Sequence, residues 1–342
     1  MIVASNVTTG SGDQFTEPSS KEPLSDALWR NIATVSMVGV AILGAVFFGF
    51  VTDTFMTAGN VLNVLRQMAP TLVVAVAMTF VITTGQIDLS VGSTVAFVSA
   101  LSAVLLDGGW DSSIVIVVAL AAGATVGAVN GWFAAYQGVP SFIVTLAALS
   151  FVRGFALLLT EGFSVPISRD TFFINIGRGQ LFGISVPALI AVSAAILGAV
   201  VLSRMRFGQY VTGIGSNEES VRRSGVDTRR IKMAVLVISG MSAGVAGMMI
   251  AGRLGSGSAN SAVAFELTVI AAVVLGGTDL FGGKGTIVGS IVGTFITATV
   301  ANGLILMGVS PFFTQIVTGV ILLLAVWVNL RGFARLRRKA GS

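Results

Sequence analysis

The chain contains no cysteine and no histidine, and charged residues are scarce. Only 10% of its 342 residues are Asp, Glu, Lys or Arg, whereas soluble domains usually contain about 25%. Without cysteine there is no disulfide, thiolate nucleophile or zinc–thiolate site, and without histidine the commonest general base and metal ligand is missing. These absences weigh against an enzyme, and the low charge weighs against a soluble domain.

Apolar residues and glycine take the place of the missing polar ones. The hydrophobic set makes up 54% of the sequence, and 42 residues are glycine. Glycine lets helices pack closely in lipid. The composition therefore predicts an all-α, polytopic integral membrane protein.

The apolar residues fall into ten runs, most of them long enough to cross a bilayer. A spanning helix needs about 20 residues, so the second, third and eighth runs are short, as expected of discontinuous helices that line a transport pathway. The sequence predicts about ten transmembrane helices, although a count of eight would also keep both termini on one side. The runs are approximately 32–51, 68–84, 91–106, 112–136, 140–160, 184–203, 231–252, 265–277, 286–307 and 312–330.

Basic residues indicate which ends of these helices face the cytoplasm. Most Lys and Arg residues lie in or beside the loop 204–231 and in the C-terminal tail 331–342, and the positive-inside rule assigns both to the cytoplasm. Residues 1–30 are polar and lack the basic-then-apolar order of a signal peptide, which predicts a disordered cytoplasmic tail. Residues 31–330 then form a single transmembrane domain.

Two sequence echoes suggest an internal duplication. "STVAF" from Ser93 returns as "SAVAF" from Ser261, and "NGWFAAYQGVPSFIVT" from Asn130 returns as "NGLILMGVSPFFTQIVT" from Asn302, at nearly the same offset. Each copy would contain five of the ten helices. Because five is an odd number, the second copy would be inverted in the membrane. Inverted repeats are the design of many transporters, with the pathway at the repeat interface.

Two turns interrupt the apolar runs with a carboxylate in the pattern G-x-x-D-L-x-x-G. They are "GQIDLSVG", which contains Asp88, and "GGTDLFGG", which contains Asp279. The two aspartates fall at different places in the repeat, so the turns are not copies of each other. Asp88 or Ser90 is expected to cap the next helix, while solute contact or a subunit contact remain alternatives, because an intramembrane carboxylate is a functional-site hypothesis by default. Asp279 and Lys284 indicate a tight cytoplasmic turn.

The basic loop contains a short helix with its own start and stop signals. In "GSNEESVRRSG", Ser216 and Glu219 have the spacing of a capping box, and Gly225 can adopt the left-handed conformation that ends a helix. This predicts a helix of about eight residues. It could be a docking element for a cytoplasmic partner or a plain surface connector.

A sequence that resembles a phosphate-binding loop does not meet the requirements of one. A Walker A motif needs G-x-x-x-x-G-K-[ST], but around "FGGKGT" Thr278 occupies the first glycine position and Gly285 follows Lys284. The chain is therefore expected to bind no ATP, metal or other cofactor, and its energy must come from a partner or from an ion gradient.

Four longer stretches resemble the membrane-permease subunits of ribose-type sugar ABC importers. They are "TFVITTGQIDLSVGS", "GVPSFIVTLAALSFVRGFALLLTEG", "GSNEESVRRSGVDTRRIK" and "ELTVIAAVVLGGTDLFGGKGTIVGS". The resemblance implies a bacterial inner-membrane importer with a second permease subunit, identical or paralogous, and an extracytoplasmic sugar-binding protein. It also implies a separate ATPase that holds ATP and Mg²⁺. One departure is Gln86, where the family usually has a second glycine.

The resemblance also assigns the short loop helix a role as the coupling helix that docks on the ATPase. The residues matched to it are Gly215, Ser216, Asn217, Glu218, Glu219, Arg222, Arg223, Ser224 and Gly225.

Other polar and aromatic residues within the spans are candidates for the pathway or for helix breaks. They are Gln86, Asp88, Asn130, Phe142 and Asn302.

Arg153 lies inside the fifth run, where it must face protein or water, and pairing with a carboxylate or a helix end is expected. The alternative function is an ion-coupled secondary transporter, in which Asp88 and Glu266 would be the coupling carboxylates.

Overall fold

The computed structural model describes residues 24–310, 312–313, 315–321, 323–324 and 327. Most of the predicted N-terminal tail and all of the basic C-terminal tail lie outside these residues. Within them the chain is helical almost throughout. The helices are α1 (Leu24–Val51), α2 (Ala58–Thr83), α3 (Val91–Asp107), α4 (Ser112–Ala135), α5 (Ser141–Thr160), α6 (Asn175–Arg178), α7 (Val186–Arg204), α8 (Arg206–Arg223), α9 (Thr228–Leu254), α10 (Phe265–Leu275) and α11 (Ile287–Leu306).

Nine apolar helices in the described part of the chain match the first nine predicted runs. Six of them, α2, α4, α5, α7, α9 and α11, are long and apolar enough to cross a membrane, and the stretch Met37–Val51, α3 and α10 are shorter. The tenth run, 312–330, is described only in part. The fold is thus that of an all-α polytopic membrane protein, as the composition predicts.

Helix α2 begins at Ala58, ten residues before the start of the predicted run 68–84. Thr57 caps the helix by accepting the N–H of Asn60 at 3.3 Å. The first turns carry polar side chains that break the apolar run, yet the Asn60 amide is paired with Asn302 in α11. A paired amide is tolerated between helices in lipid, which explains why hydropathy missed this part of α2.

Two short antiparallel strand pairs lie at the ends of the helices that are opposite to α8. β1 (Val165–Pro166) pairs with β4 (Ser256–Gly257), and β2 (Gln180–Leu181) pairs with β3 (Ile184–Ser185). The first pair joins the loop after α5 to the end of α9. It therefore fixes the two halves of the chain to each other on that side.

Helix α9 is the central element because glycine brings α4 against its backbone. A Cβ at Gly127 would overlap the carbonyl of Leu236, and one at Gly240 would overlap the carbonyl of Gly123. Backbones can approach this closely only where side chains are missing, a packing mode that is common between membrane helices. Helix α9 also packs on α2 and α3.

The order of elements repeats in the two halves, as the duplication predicts. Helix α2 is followed by a non-helical break and the shorter α3, and α9 is followed by a non-helical break and the shorter α10. The end of α2 and the start of α9 lie on the same side of the layer, because Gly215 contacts Thr83 and Glu218 pairs with Lys232. The two long helices are therefore antiparallel, as in an inverted repeat.

Candidate functional site

The helix break between α2 and α3 is formed around Asp88. One carboxylate oxygen accepts hydrogen bonds from the backbone N–H and the hydroxyl of Ser90, at 2.9 and 2.6 Å. The other oxygen accepts from the hydroxyl of Ser239 at 2.7 Å. The Asn130 amide donates to the Ser90 hydroxyl at 2.9 Å. Asp88 is 1% exposed, and its two oxygens are occupied by donors from the chain itself.

The position of Ser239 shows how deeply Asp88 is buried. Ser239 lies eleven residues after the first residue of α9, about 16 Å along the helix at about 1.5 Å per residue. The hydrocarbon core of a bilayer is about 30 Å thick. Asp88 is therefore level with a point well inside α9, where hydrogen-bond donors from the chain must replace the missing water.

Asp88 shapes the turn, although not as a conventional helix cap. Ser90 is the N-cap of α3 and makes no side-chain capping bond. Asp88 instead binds the N–H of Ser90 and links the break to α9, while the Asn130 amide connects the same group to α4. This carboxylate thus holds three elements together. No pattern in the sequence indicates Ser239 as its partner.

Gln86, where the resemblance implies a second glycine, does not have a backbone conformation that needs glycine. Gly85 has a φ of 76°, in the left-handed region, whereas Gln86 does not have a positive φ. Gln86 is 4% exposed, and its side-chain oxygen accepts from the hydroxyl of Thr84 at 3.2 Å. A glycine is therefore needed at residue 85 but not at residue 86.

The next part of the break is held by α5. The hydroxyl of Ser141 accepts the N–H of Ile87 at 3.1 Å, and the hydroxyl of Thr145 donates to the Ile87 carbonyl at 3.2 Å. Phe142, between them, is 51% exposed. Both backbone polar groups of Ile87 thus have side-chain partners, as irregular backbone in the interior requires.

Asn130 and Asn302 do not present free amides. Asn130 is 2% exposed and donates to Ser90, while Asn302 is 3% exposed and exchanges two hydrogen bonds with Asn60, at 2.9 and 3.1 Å. Both asparagines connect helices across the interior.

Arg153 holds the second break, between β4 and α10. Its guanidinium donates to the carbonyls of Ala259 and Ser261, at 2.5 and 2.8 Å, and interacts electrostatically with Glu266. The sequence predicted a carboxylate or a helix end as the partner. Glu266 is such a carboxylate and interacts with Arg153 electrostatically, while the hydrogen bonds go to backbone carbonyls, which a guanidinium can bind several at a time through its fork of donors.

The two breaks meet where Glu266 lies against α3. A Cβ at Gly92 would overlap the carboxylate oxygen Oε2 of Glu266, and this oxygen has no hydrogen-bond partner among the described residues. Two residues upstream, Ala264 has a φ of 57°, an uncommon conformation for a residue with a Cβ. The starts of α3 and α10 therefore approach each other in the interior.

The loop after α7 is more helical than predicted, and the capping box is wrong. Helix α8 kinks at Asn217, whose backbone is extended (φ −161°, ψ 94°). The side chain of Asn217 accepts the N–H of Ser220 at 3.0 Å, whereas Ser216 donates to the Thr212 carbonyl one turn back. Asn217 is therefore the N-cap of a short helix, residues 218–223, here called the loop helix. Ser216 ends the preceding helical stretch instead of beginning the loop helix.

The loop helix ends as predicted and is attached to α9 by Glu218. Gly225 has a φ of 87° and its N–H donates to the Arg222 carbonyl at 3.0 Å. Glu218 pairs with Lys232 at 3.1 Å and accepts from Thr228 at 3.0 Å. The helix is thus anchored at its first residue and closed at its last.

The other charged residues of the loop helix face outward. Glu219 pairs with Arg222 and, at 3.0 Å, with Arg223, but all three side chains are about half exposed or more. Exposed ion pairs of this kind contribute little to stability. These groups are therefore accessible to a partner protein.

The fold and these sites define a polytopic α-helical membrane protein of the transporter kind. The profile of a known family, described as permease components of branched-chain amino acid transport systems, matches residues 60–326. The chain is 35% identical to the xylose transport system permease protein XylH of Escherichia coli, over 87% of this chain and 92% of that protein. It is 38% identical to the ribose import permease protein RbsC of Bacillus subtilis, over 85% and 91%. The Escherichia coli RbsC is 36% identical, over 86% and 92%.

The chain belongs to this permease family and, with these relatives, to the ribose-type sugar ABC permeases. It is accordingly a multi-pass inner-membrane protein. No solved structure matches the chain.

Proposed function

We propose that the chain is the permease subunit of an ATP-driven importer that moves a monosaccharide, or a similar small polar solute, into the cytoplasm. The names of its relatives specify xylose and ribose, which supports a sugar as the solute class. The importer would contain a second permease subunit, either a copy of this chain or a paralogue. An extracytoplasmic binding protein would deliver the solute.

The observation that carries the proposal is the exposed, separately capped loop helix. Asn217 starts it, Gly225 ends it, and Arg222 and Arg223 project from it. A transporter energised through a separate protein needs such a protruding rigid element. We assign the loop helix as the docking site for an ATP-binding cassette ATPase, which would place the α8 side of the layer and both termini in the cytoplasm.

The glycine-rich loop after α10 supports the assignment of ATP to a partner. The N–H of Asp279 donates to the Lys284 carbonyl at 2.9 Å, and the Asp279 side chain accepts from Phe281 at 3.0 Å. The N–H of Gly282 donates to the Asp279 carbonyl at 3.0 Å. A phosphate-binding loop needs free, convergent N–H groups, but here these three donate within the loop.

The alternative of an ion-coupled carrier finds less support. A coupling carboxylate must exchange its partners for an ion, whereas both oxygens of Asp88 bind Ser90 and Ser239. Glu266 keeps one oxygen without a partner among the described residues. If ion coupling exists, Glu266 is therefore the residue to substitute first.

A binding experiment tests the docking assignment. The detergent-solubilised permease is immobilised and the cognate ATPase is passed over it. Wild-type permease should retain the ATPase, and Glu218→Arg should weaken retention, because a cation beside Lys232 would repel the loop helix from α9. Glu161→Arg, a carboxylate on the opposite side of the layer, is the matched control and should bind normally. Equal retention by all three proteins would contradict the docking assignment.

A further inference from the structure

Three segments of the chain contact one another directly behind the loop helix, and most of the contacting residues are glycines. A Cβ at Gly215 would overlap the carbonyl of Thr83 and the N–H of Gly283. A Cβ at Gly282 would lie 2.8 Å from the nitrogen of Gly85 and 3.1 Å from the Cα of Gly215. The backbones of the α2 end, of α8 and of the loop after α10 are therefore in direct contact. We call this contact the glycine junction; it consists of Thr83, Gly85, Gly215, Gly282 and Gly283.

A hydrogen bond fixes two of the three turns to each other. The N–H of Gly283 donates to the carbonyl of Thr83 at 2.9 Å. Gly85, Gly282 and Gly283 all have positive φ values, of 76°, 93° and 81°, so glycine is required there for conformation as well as for space. At Gly215 no positive φ is found, and close approach alone explains the glycine.

The junction occupies a particular place in the chain. Gly215 lies two residues before Asn217, the N-cap of the loop helix. Thr83 is the last residue of α2, directly before the break that contains Asp88. Gly283 lies in the loop that follows α10, the other short helix. A displacement of the loop helix would therefore press on the break after α2 and on the loop after α10 at the same point.

The contact is suited to transmit a displacement without loss. Close-packed interiors have low compressibility and pass strain on to their neighbours. Flexible side chains would absorb part of a movement by changing rotamer, but at the junction backbone touches backbone. The two elements it contacts meet again in the interior, where Glu266 of α10 lies against Gly92 of α3.

We propose that the glycine junction is the rigid link through which the loop helix moves the two helix breaks, and that Gly215 positions these elements instead of contacting the ATPase. This inference rests on the proposed function, since it requires an ATPase that acts on the loop helix. It reassigns Gly215 from the docking surface to the transmission path. The loop helix binds the partner, and the junction carries the movement to the breaks.

The first test inserts a methyl group into the junction. Gly215→Ala should keep ATPase retention and ATP hydrolysis but lower solute uptake per ATP roughly 2- to 30-fold, the range expected for residues along a coupling network. Gly59→Ala is the matched control, because a Cβ there meets nothing within 4 Å, and it should behave as wild type. Normal uptake per ATP in Gly215→Ala would overturn the inference, and so would loss of ATPase retention.

The second test locks the junction and remains informative if Gly215→Ala fails to fold. The chain has no native cysteine, and a Cβ at Gly285, in the loop after α10, would lie 3.3 Å from the Cβ of Thr83 at the end of α2. The double variant Thr83→Cys, Gly285→Cys is oxidised with copper phenanthroline and reduced again with dithiothreitol. A rigid link predicts equal uptake per ATP in both states. Uptake that stops on oxidation and returns on reduction would overturn the inference, because the turns must then slide past each other.

The outcomes separate this inference from the proposed function. If wild-type permease neither retains the ATPase nor needs ATP for uptake, the proposed function fails. If wild-type uptake is ATP-dependent but Gly215→Ala or the crosslink gives the contrary result above, only the glycine junction fails as a link.

Discussion

The carboxylate of Asp88, in the break before α3, accepts a 2.7 Å hydrogen bond from the hydroxyl of Ser239 in α9. These residues are 151 positions apart, and both are buried. The contact closes the break against the central helix of the fold. It explains how a carboxylate is accommodated in the interior, since the chain itself supplies the hydrogen-bond donor.

Removing the hydroxyl of Ser239 should destabilise the protein. In Ser239→Ala one oxygen of Asp88 loses its hydrogen bond in the interior, which costs about 1–3 kcal/mol of the free energy of unfolding. Thermal unfolding of the purified protein in detergent measures the change. Ser242→Ala is the control, because its hydroxyl donates only to the carbonyl of Ser239 in the same helix. An equal loss in both variants would contradict the proposed role of Asp88.

Replacing Arg153 should loosen the segment before α10. Arg153→Gln cannot span the carbonyls of Ala259 and Ser261 that the guanidinium binds together. Ala259 is fully buried, so a cysteine introduced there should react slowly with a water-soluble maleimide in an otherwise wild-type chain and faster beside Arg153→Gln. A cysteine at Asn260, which is exposed, should react equally fast in both backgrounds. An unchanged rate at residue 259 would show that Arg153 does not hold the segment.

Asn302 is expected to affect stability and not solute handling. Its amide pairs reciprocally with Asn60, so Asn302→Ala should lower the free energy of unfolding by about 1–2 kcal/mol. The apparent KM for solute uptake should stay at the wild-type value. A raised KM with unchanged stability would return Asn302 to the transport pathway, where the sequence had placed it as a candidate.

The cap of the loop helix distinguishes Asn217 from its neighbour. Asn217→Ala removes the acceptor for the Ser220 N–H and should cost the helix about 0.5–2 kcal/mol, which weakens ATPase retention. Ser216→Ala should leave retention unchanged, since the Ser216 hydroxyl bonds one turn back to Thr212. Quantitative retention assays on the two variants measure this difference. The reverse order of effects would support the capping box that the sequence predicted.

Periodicity and composition are sufficient to predict the helices, but they do not predict contacts between residues that are distant in sequence. The nine apolar helices and the shortness of α3 and α10 follow from local runs of apolar residues. The left-handed Gly225 follows from its position after a charged helix. No local pattern, however, connects Asp88 with Ser239 or Arg153 with Ala259, because these pairs are distant in sequence and form only when the helices pack.

The loop residues show the same limit at short range. Ser216 and Asn217 are both good capping residues, and sequence alone favoured Ser216 because Glu219 lies three positions later. In the structure Gly215 lies against Thr83 just before the kink, and the cap is at Asn217. The local sequence does not distinguish between these two acceptable starts.

Solute uptake into sealed vesicles tests the central claim most directly. The permease is reconstituted with its cognate ATPase and binding protein, and uptake of radiolabelled ribose and xylose is followed with ATP, without ATP, and with ATP after ionophores have collapsed all ion gradients. We predict uptake that requires ATP, the ATPase and the binding protein and that persists without ion gradients. Uptake by the permease alone, driven by a proton or sodium gradient and indifferent to ATP, would contradict the account.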